Sequence, residues 1–312
     1  MKHMLLIPHI QVQNANALSS PFTIGFPAMT AWLGAAHALE RQLNDAIGLK
    51  QGETVSFQGV GVVSHQFTLH TYKGLGDYEY SIIGTGNPLE PAARKGQPEG
   101  NAERPSFIEE ARCHLEVSMV IACDGIEKSL ETDVIRLTTQ LLQGRMKMAG
   151  GDILKVQKPE FYRDFDQLKK RLMPGYALIE RRELMIEAMA QGQDALDALI
   201  DYLAVHHHCE QQEINGEMEI IWSSQRKQTT LDGKRGWIVP IATGFHGISE
   251  LGHAKNQRDP ETLHRFAEAV VTLGEYIMPY RLEYIEQLLW HYHYDADSNL
   301  YLCQQDTIIE GF

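Results

Sequence analysis

Residues 5–41 read LLIPHIQVQNANALSSPFTIGFPAMTAWLGAAHALER. The stretch opens as an apolar, β-prone run, breaks into small polar residues and then becomes an amphipathic helix. Strand, polar loop and helix in that order expose backbone N–H groups and amide side chains at a helix start. Gln11, Gln13, Asn14 and Asn16 can each donate and accept hydrogen bonds. That suits contact with base edges or sugar–phosphate oxygens. The plainer alternative is an Asx-rich turn whose polar groups satisfy one another.

Met4 to about Gln13 predicts the first strand and Ala28 to Ile47 the first helix. Met29, Trp32, Leu33, Ala36, Leu39, Leu43 and Ile47 recur at helical spacing, and Gly48 follows the last of them. His37 and Arg41 are four residues apart, on a face that could look toward the polar loop. Val55 to Tyr72 reads as one long strand, and Tyr78 to Gly84 continues the β pattern. Residues 86–105, rich in proline and glycine, read as a long loop. Ile108 to Ala122 is a further strand and Leu130 to Met146 a second helix, with Gly150 and Gly151 expected as its C-cap.

The order β-α-β-β-α-β through residue 157 is that of a ferredoxin-like, RNA-recognition-type domain within an α+β class. It lacks the aromatic signature of ordinary RNA-recognition domains, so base stacking on the sheet is not expected. Residues 158–312 read as an α+β extension. Its expected elements are a strand over 172–181, a helical segment over 183–207 and strands over 218–222 and 237–242. A helical end then starts from Asp259 and Pro260, with Pro279 separating off a last helix over 281–291.

The chain has 312 residues, 43% hydrophobic and 22% charged, which is ordinary for a globular protein. No apolar run of about 18 residues is present, so no membrane span is expected. The apolar block at the start is too short for a signal peptide, so the expected location is the cytoplasm. Cys113, Cys123, Cys209 and Cys303 form no close pair, which argues against a disulfide framework or a zinc ribbon. The run His206–Cys209, placed on a helix, would splay its side chains, so no metal is expected there. Net charge is −13, and residues 140–182 contribute ten Lys or Arg against five Asp or Glu. That band carries +5 and leaves the remainder at −18. An acidic chain with one basic band can hold nucleic acid locally, although a solvated basic helix face has the same composition.

Seven blocks carry a family resemblance. They are IQVQNANALSSPFTIGFP (10–27) with HALER (37–41), GVGVVSHQF (59–67), EEARCHLEVSMVI (109–121), KMAGGDIL (147–154), KRLMPGYALIER (170–181), GWIVPIATGF (236–245) and LGEYIMPYRLEYIEQLLWHYH (273–293). In that order they resemble the second Csy proteins, the Cas-five-type subunits of type I-F CRISPR–Cas surveillance complexes. The resemblance implies a CRISPR repeat-associated fold with a glycine-rich loop near Gly150 and Gly151 that meets RNA backbone. It implies a non-catalytic subunit of antiviral defence that holds the 5′ handle of the guide RNA. The implied partners are the large Cas-eight-type subunit, as a heterodimer, and the Cas-seven-type backbone subunit. Contact with target DNA stays open, and no cofactor is expected. The candidate RNA-binding residues are Gln13, Asn14, Asn16, Ser19, Ser20, His37, Arg41, Arg112, Arg145, Lys147, Gly150 and Gly151.

The rival reading is a metal-independent endoribonuclease that processes repeat RNA. It needs a general base or acid, most often His, and a cation for the developing phosphorane charge. His37, His65, His114 and Lys147 are available, but the resemblance gives processing to another subunit. No GxxxxGK[ST], GxSxG or HExxH sequence occurs. The aromatic run over 290–294 reads as core and edge more readily than as a base-stacking surface.

Overall fold

Strand β1 (His3–Asn16) inverts its alternation twice. Leu5, Ile7, Ile10, Val12 and Ala15 all enter one core layer, while Met4 and Leu6 enter the other. The parity changes come from register irregularities between Ile7 and Ile10 and between Val12 and Ala15, where His9 and Asn14 have φ of 49° and 55°. An extra residue in one strand re-aims everything after it. The amide-rich stretch expected as loop is therefore still strand, bulged, as far as Asn16. The computed structural model describes residues 3–47, 54–85, 110–214, 217–229 and 236–306.

A short hairpin, β2 (Leu18–Ser20) and β3 (Thr23–Ile24), leads into helix α1 (Met29–Ile47). The expected strand over 55–72 is β4 (Ser56–Leu69) followed by β5 (Thr71–Tyr72). In place of a strand over 78–84 stand two short ones, β6 (Ser81–Ile82) and β7 (Gly84–Thr85). The expected loop 86–105 lies outside the described residues. After β8 (Glu110–Asp124), helix α2 (Glu131–Gly144) ends two residues before the expected Met146. Gly150 and Gly151 do not cap it. They belong to a tight hairpin between β9 (Lys147–Met148) and β10 (Gly151–Lys155), whose turn residues Ala149 and Gly150 have φ of 47° and 75°. Two successive positive φ values are what a two-residue hairpin turn needs to match strand twist.

The second half comprises β11 (Glu160–Tyr162), α3 (Phe165–Arg171), β12 (Tyr176–Glu180), α4 (Arg182–Ala190) and α5 (Ala195–Leu203), then seven-residue or longer strands and two short ones. These are β13 (His206–Ile214), β14 (Glu217–Gln225), β15 (Trp237–Gly247), β16 (Ala267–Ile277), β17 (His291–Asp295) and β18 (Leu300–Gln304). The helical segment expected over 183–207 is two helices, broken where Gly192 takes φ 93° and Asp194 caps α5 by accepting from the Leu196 N–H at 2.9 Å. The run His206–Cys209 lies on β13, so its side chains alternate across a strand rather than splay about a helix.

The expected C-terminal helices are also corrected. Asp259 accepts from the Glu261 N–H and the Thr262 hydroxyl, closing a turn. Val270 and Leu273, whose spacing suggested a helix, sit on β16; Ile285 sits on a single 3-10 turn, Ile285–Gln287, and Leu282 directly follows another, Pro279–Arg281. Val270, Val271 and Thr272 are β-branched in sequence, which favours the pleated backbone over the helix.

Among the described residues, twelve strands form one antiparallel sheet with the main order β17-β18-β15-β16-β12-β4-β8-β1-β10-β9. The sheet curls until its β17 end meets β4 again, where Val60 and Trp290 exchange both backbone hydrogen bonds at 3.0 and 2.9 Å. One face of the sheet carries α1 and α2, with Trp32, Leu39, Leu43 and Leu142 buried beneath them. On the other face Leu168 and Leu172 at α3 pack with Leu282, Ile285, Leu288 and Leu289. The fold is thus mixed α and β, with five α-helices among the described residues. None of the described helices is long and apolar enough to cross a membrane.

Candidate nucleic-acid interface

Three segments converge at the bulged end of β1. The Asn16 N–H donates to the Ala149 carbonyl at 2.8 Å, which seats the β9–β10 turn against β1. The Ala17 N–H donates to the Ala111 carbonyl at 2.9 Å, which fixes the start of β8 beside it. The third wall is Ala28, just before α1, followed by Ala31, Gly34, Ala35 and Ala38 of the helix. The open groove between them has a volume of about 590 Å³. It gathers five residues singled out in the sequence: Asn16, Ser19, Arg112, Lys147 and Gly150.

Of the two cations lining the groove, Arg112 is anchored and Lys147 is held loosely. Arg112 Nη1 donates to the Asn14 carbonyl at 3.3 Å, and its Nη2 pairs with Glu110. The guanidinium also lies against the turn, since a Cβ built on Gly150 would be 3.9 Å from Arg112 Nη1. Lys147 pairs with Asp152 at 2.9 Å, but both side chains are about two-thirds exposed, at 65% and 66%. An ion pair that wet is worth little, so a phosphate can take the place of Asp152. The first turn of α1 contains no acidic residue of its own, so the positive end of the helix faces the groove, which the Glu110 carboxylate also lines.

The remaining selected residues are placed unequally. Gln13 is exposed on β1, opposite Asp152 of β10. Asn14 is exposed, and its N–H donates to His114 Nδ1 at 3.3 Å. Asn16 Oδ1 accepts from the Leu18 N–H at 3.0 Å, leaving its NH₂ to face the groove. Ser20 is buried; its hydroxyl bonds Thr23 Oγ1 at 2.7 Å and accepts from the Phe22 N–H at 3.1 Å, so it is committed to the hairpin. Gly151 is buried as well. His37 lines a different groove, with Glu40, Gln58 and His291. Arg41 and Arg145 are exposed but do not line the groove. The sequence reading missed the wall of α1. Its signal was the row Ala28, Ala31, Gly34, Ala35 and Ala38, small residues at helical spacing beside the apolar stripe.

Of the histidines weighed for catalysis, His65 and His114 are engaged within the protein. His65 Nδ1 donates to the Pro174 carbonyl at 2.6 Å and Nε2 accepts from the Ser118 hydroxyl at 2.7 Å, while Ser118 Oγ accepts from the His9 N–H at 3.1 Å. Burial holds His65 below the usual imidazole range. His114 Nδ1 is occupied by the Asn14 N–H, so its proton sits on Nε2 and is donated to His70 Nε2 at 3.2 Å. Burial and His114 together keep the His70 imidazole low. Neither His37, His65 nor His114 lines the groove that holds Lys147.

Comparison with known proteins agrees with the resemblance read from the sequence. Residues 5–303 match the model of the CRISPR-associated protein family Cas_Csy2. The chain is also similar to the CRISPR-associated protein Csy2 of Pseudomonas aeruginosa (strain UCBPP-PA14), with 31% identity over 335 residues, covering 98% of this chain and 96% of that protein. A family match over nearly the whole chain and a relative aligned end to end leave one assignment: the chain belongs to the Csy2 family of CRISPR-associated proteins.

Proposed function

We propose that this chain is a non-catalytic, cytoplasmic subunit of a type I-F CRISPR surveillance complex that holds the 5′ handle of the guide RNA. The observation that carries the reading is the groove where the Gly150 turn, Arg112, Lys147 and the start of α1 meet beside the bulged, amide-bearing end of β1. A side chain without Cβ lets a phosphate approach the backbone closely, and Arg112 and Lys147 supply the charge. Gln13, Asn14 and Asn16 then supply neutral contacts to splayed bases. The order β10-β1-β8-β4, with α1 and α2 on one face, supports a ferredoxin-like reading of residues 1–157. Residues 158–312 serve as an extension that shares the same sheet. The large subunit and the backbone subunit are the partners this role requires.

The test is a salt titration of handle-RNA binding by the chain assembled with its large subunit, run against a scrambled RNA. Lys147→Ala should weaken both RNAs alike and lower the salt slope by roughly 0.7 per lost phosphate contact. Asn16→Ala should leave the slope unchanged and cost on the order of 1–3 kcal/mol of preference for the true handle. Unaltered binding by both variants refutes this placement of the RNA. Site-specific cleavage of repeat RNA in EDTA, lost in His114→Ala, refutes the non-catalytic role in favour of the ribonuclease.

A further inference from the structure

We propose that an aromatic bowl between the β2–β3 hairpin and the sheet is a second site, and that it takes one unstacked nucleobase. Its walls are Phe26, Phe67, Tyr176, Trp237 and Tyr276, around a volume of about 390 Å³. The rings meet edge to face, with centroids 5.4 Å apart for Tyr176 and Trp237, 5.5 Å for Trp237 and Tyr276, and 5.9 Å for Phe26 and Tyr276. Trp237 is 53% exposed, Phe67 39% and Tyr176 37%. So much aromatic surface open around one concavity marks a binding site rather than core.

The polar groups in the bowl narrow the occupant. Ser64 and Tyr276 both line it, and neither hydroxyl makes a hydrogen bond with any described residue. A purely apolar occupant, such as a leucine or phenylalanine anchor of a protein partner, would seal both hydroxyls away from water without a partner, which is costly. Among the described residues no Lys, Arg, Asp or Glu lines the bowl, and His65 has both ring nitrogens engaged within the protein. A phosphate, carboxylate or ammonium would find no counter-charge there. What remains is neutral, planar and edged with donors and acceptors, which is the chemistry of a base.

The site rests on the reading that the chain handles RNA, but it is separate from the cationic groove. Ser19, Pro27 and Ala28 line the groove, whereas Ile24, Gly25 and Phe26, from between them in sequence, line the bowl. A base held there is gripped by stacking and hydrogen bonds alone, so its contribution is independent of salt.

The test titrates the full-length chain with uncharged adenosine, guanosine, cytidine and uridine while following tryptophan fluorescence. At least one nucleoside should quench saturably, with the same affinity at low and high salt, and the quenching should vanish in Trp237→Phe. Tyr276→Phe and Ser64→Ala, each of which removes one oxygen and leaves the packing, should each weaken that nucleoside roughly 3- to 10-fold. N-acetylphenylalaninamide is the competing probe. If it saturates the signal and no nucleoside does, or if the two oxygen deletions leave nucleoside affinity unchanged, the proposal fails. Failure of the handle reading is distinct: Lys147→Ala would then leave RNA binding unaltered while nucleoside quenching persists.

Discussion

A Cβ placed on Gly151 would lie 2.6 Å from the carbonyl oxygen of Gln13, and nearly as close to Val12 Cγ1 and the Ala15 N–H, at 2.7 and 2.8 Å. The second bulge of β1 thus packs directly on the first residue of β10. The neighbouring Gly150 has a positive φ but open space around it, with only Arg112 Nη1 at 3.9 Å. The two glycines therefore have different duties, although the sequence offered them as one pair.

Gly151→Ala should destabilise the chain by several kcal/mol, on the order of 2–4, because backbone and not a mobile side chain must move. Gly150→Ala should cost only about 1–2 kcal/mol, the penalty for a side chain at positive φ, while weakening RNA through loss of close approach. Thermal unfolding of both variants, beside RNA binding, checks the contrast. Equal loss of stability in the two would contradict it.

Much of the first half was legible because local pattern and final environment agree there. The stripe Met29, Trp32, Leu33, Ala36, Leu39 and Leu43 is buried along α1 as its spacing predicts. The misreadings have physical causes. Asn14 and Asn16 look like loop because amides favour turns, yet a bulge lets them stay in a strand paired on both sides. Residues 267–277 place apolar groups at positions compatible with a helix face, and long-range pairing with β12 and β15 decided for strand. In the groove, charge and glycine were visible in sequence. Which of Ser19 and Ser20 faces out was not, because that depends on hairpin geometry.

Glu180 should make stability fall as pH rises from about 4.5 to about 7. Burial is the main cause that pushes its carboxyl up to about 7 from 4.5, against the opposing Gln305 N–H and Arg182 guanidinium. The folded state therefore binds the proton more tightly than the unfolded one. The contribution is complete below about pH 4.5 and is lost on rising to about 7, up to an order of 3 kcal/mol. Glu180→Gln should match the parent chain near pH 5 and exceed it in stability at pH 8. His65 acts with the opposite sign, since its imidazole is held low and its contribution disappears as pH falls below 6.5. The difference between the variant and its parent isolates Glu180. A difference that does not change with pH would show that Glu180 does not titrate in this window.

Trp290 closes the curl of the sheet. It is fully buried, its Nε1–H donates to the Leu178 carbonyl at 3.0 Å, and its backbone pairs with Val60. Trp290→Ala should cost about 3–5 kcal/mol through cavity formation. Trp290→Phe should keep most of the packing and lose about 1–3 kcal/mol for the unpaired carbonyl. Because the seam between β4 and β17 rests on this residue, the Val60 amide should lose hydrogen-exchange protection in Trp290→Ala more than amides at the centre of β8. Uniform loss across the sheet would mean that the seam is not a separate unit.

Arg112 offers the sharpest test of how the groove is built. Its guanidinium reaches Asn14 with one nitrogen and Glu110 with the other, and so ties the second bulge of β1 to β8. Lysine carries the same charge but has a single nitrogen that cannot span both partners. Arg112→Lys should therefore leave the salt dependence of RNA binding where it is, since the number of cations facing phosphate is unchanged. The Asn14 bulge, released from one of its two anchors, should hold its amide less firmly and lose preference for the true handle over a scrambled RNA by about 1 kcal/mol. His114 keeps its bond to the Asn14 N–H, so the loss should be partial, and Arg112→Lys combined with His114→Ala should deepen it. The measurement is competition binding of both RNAs, at several salt concentrations, by the chain assembled with its large subunit. A change in salt slope with preference intact would show that Arg112 acts on phosphate alone and leave the bulge to be held by His114.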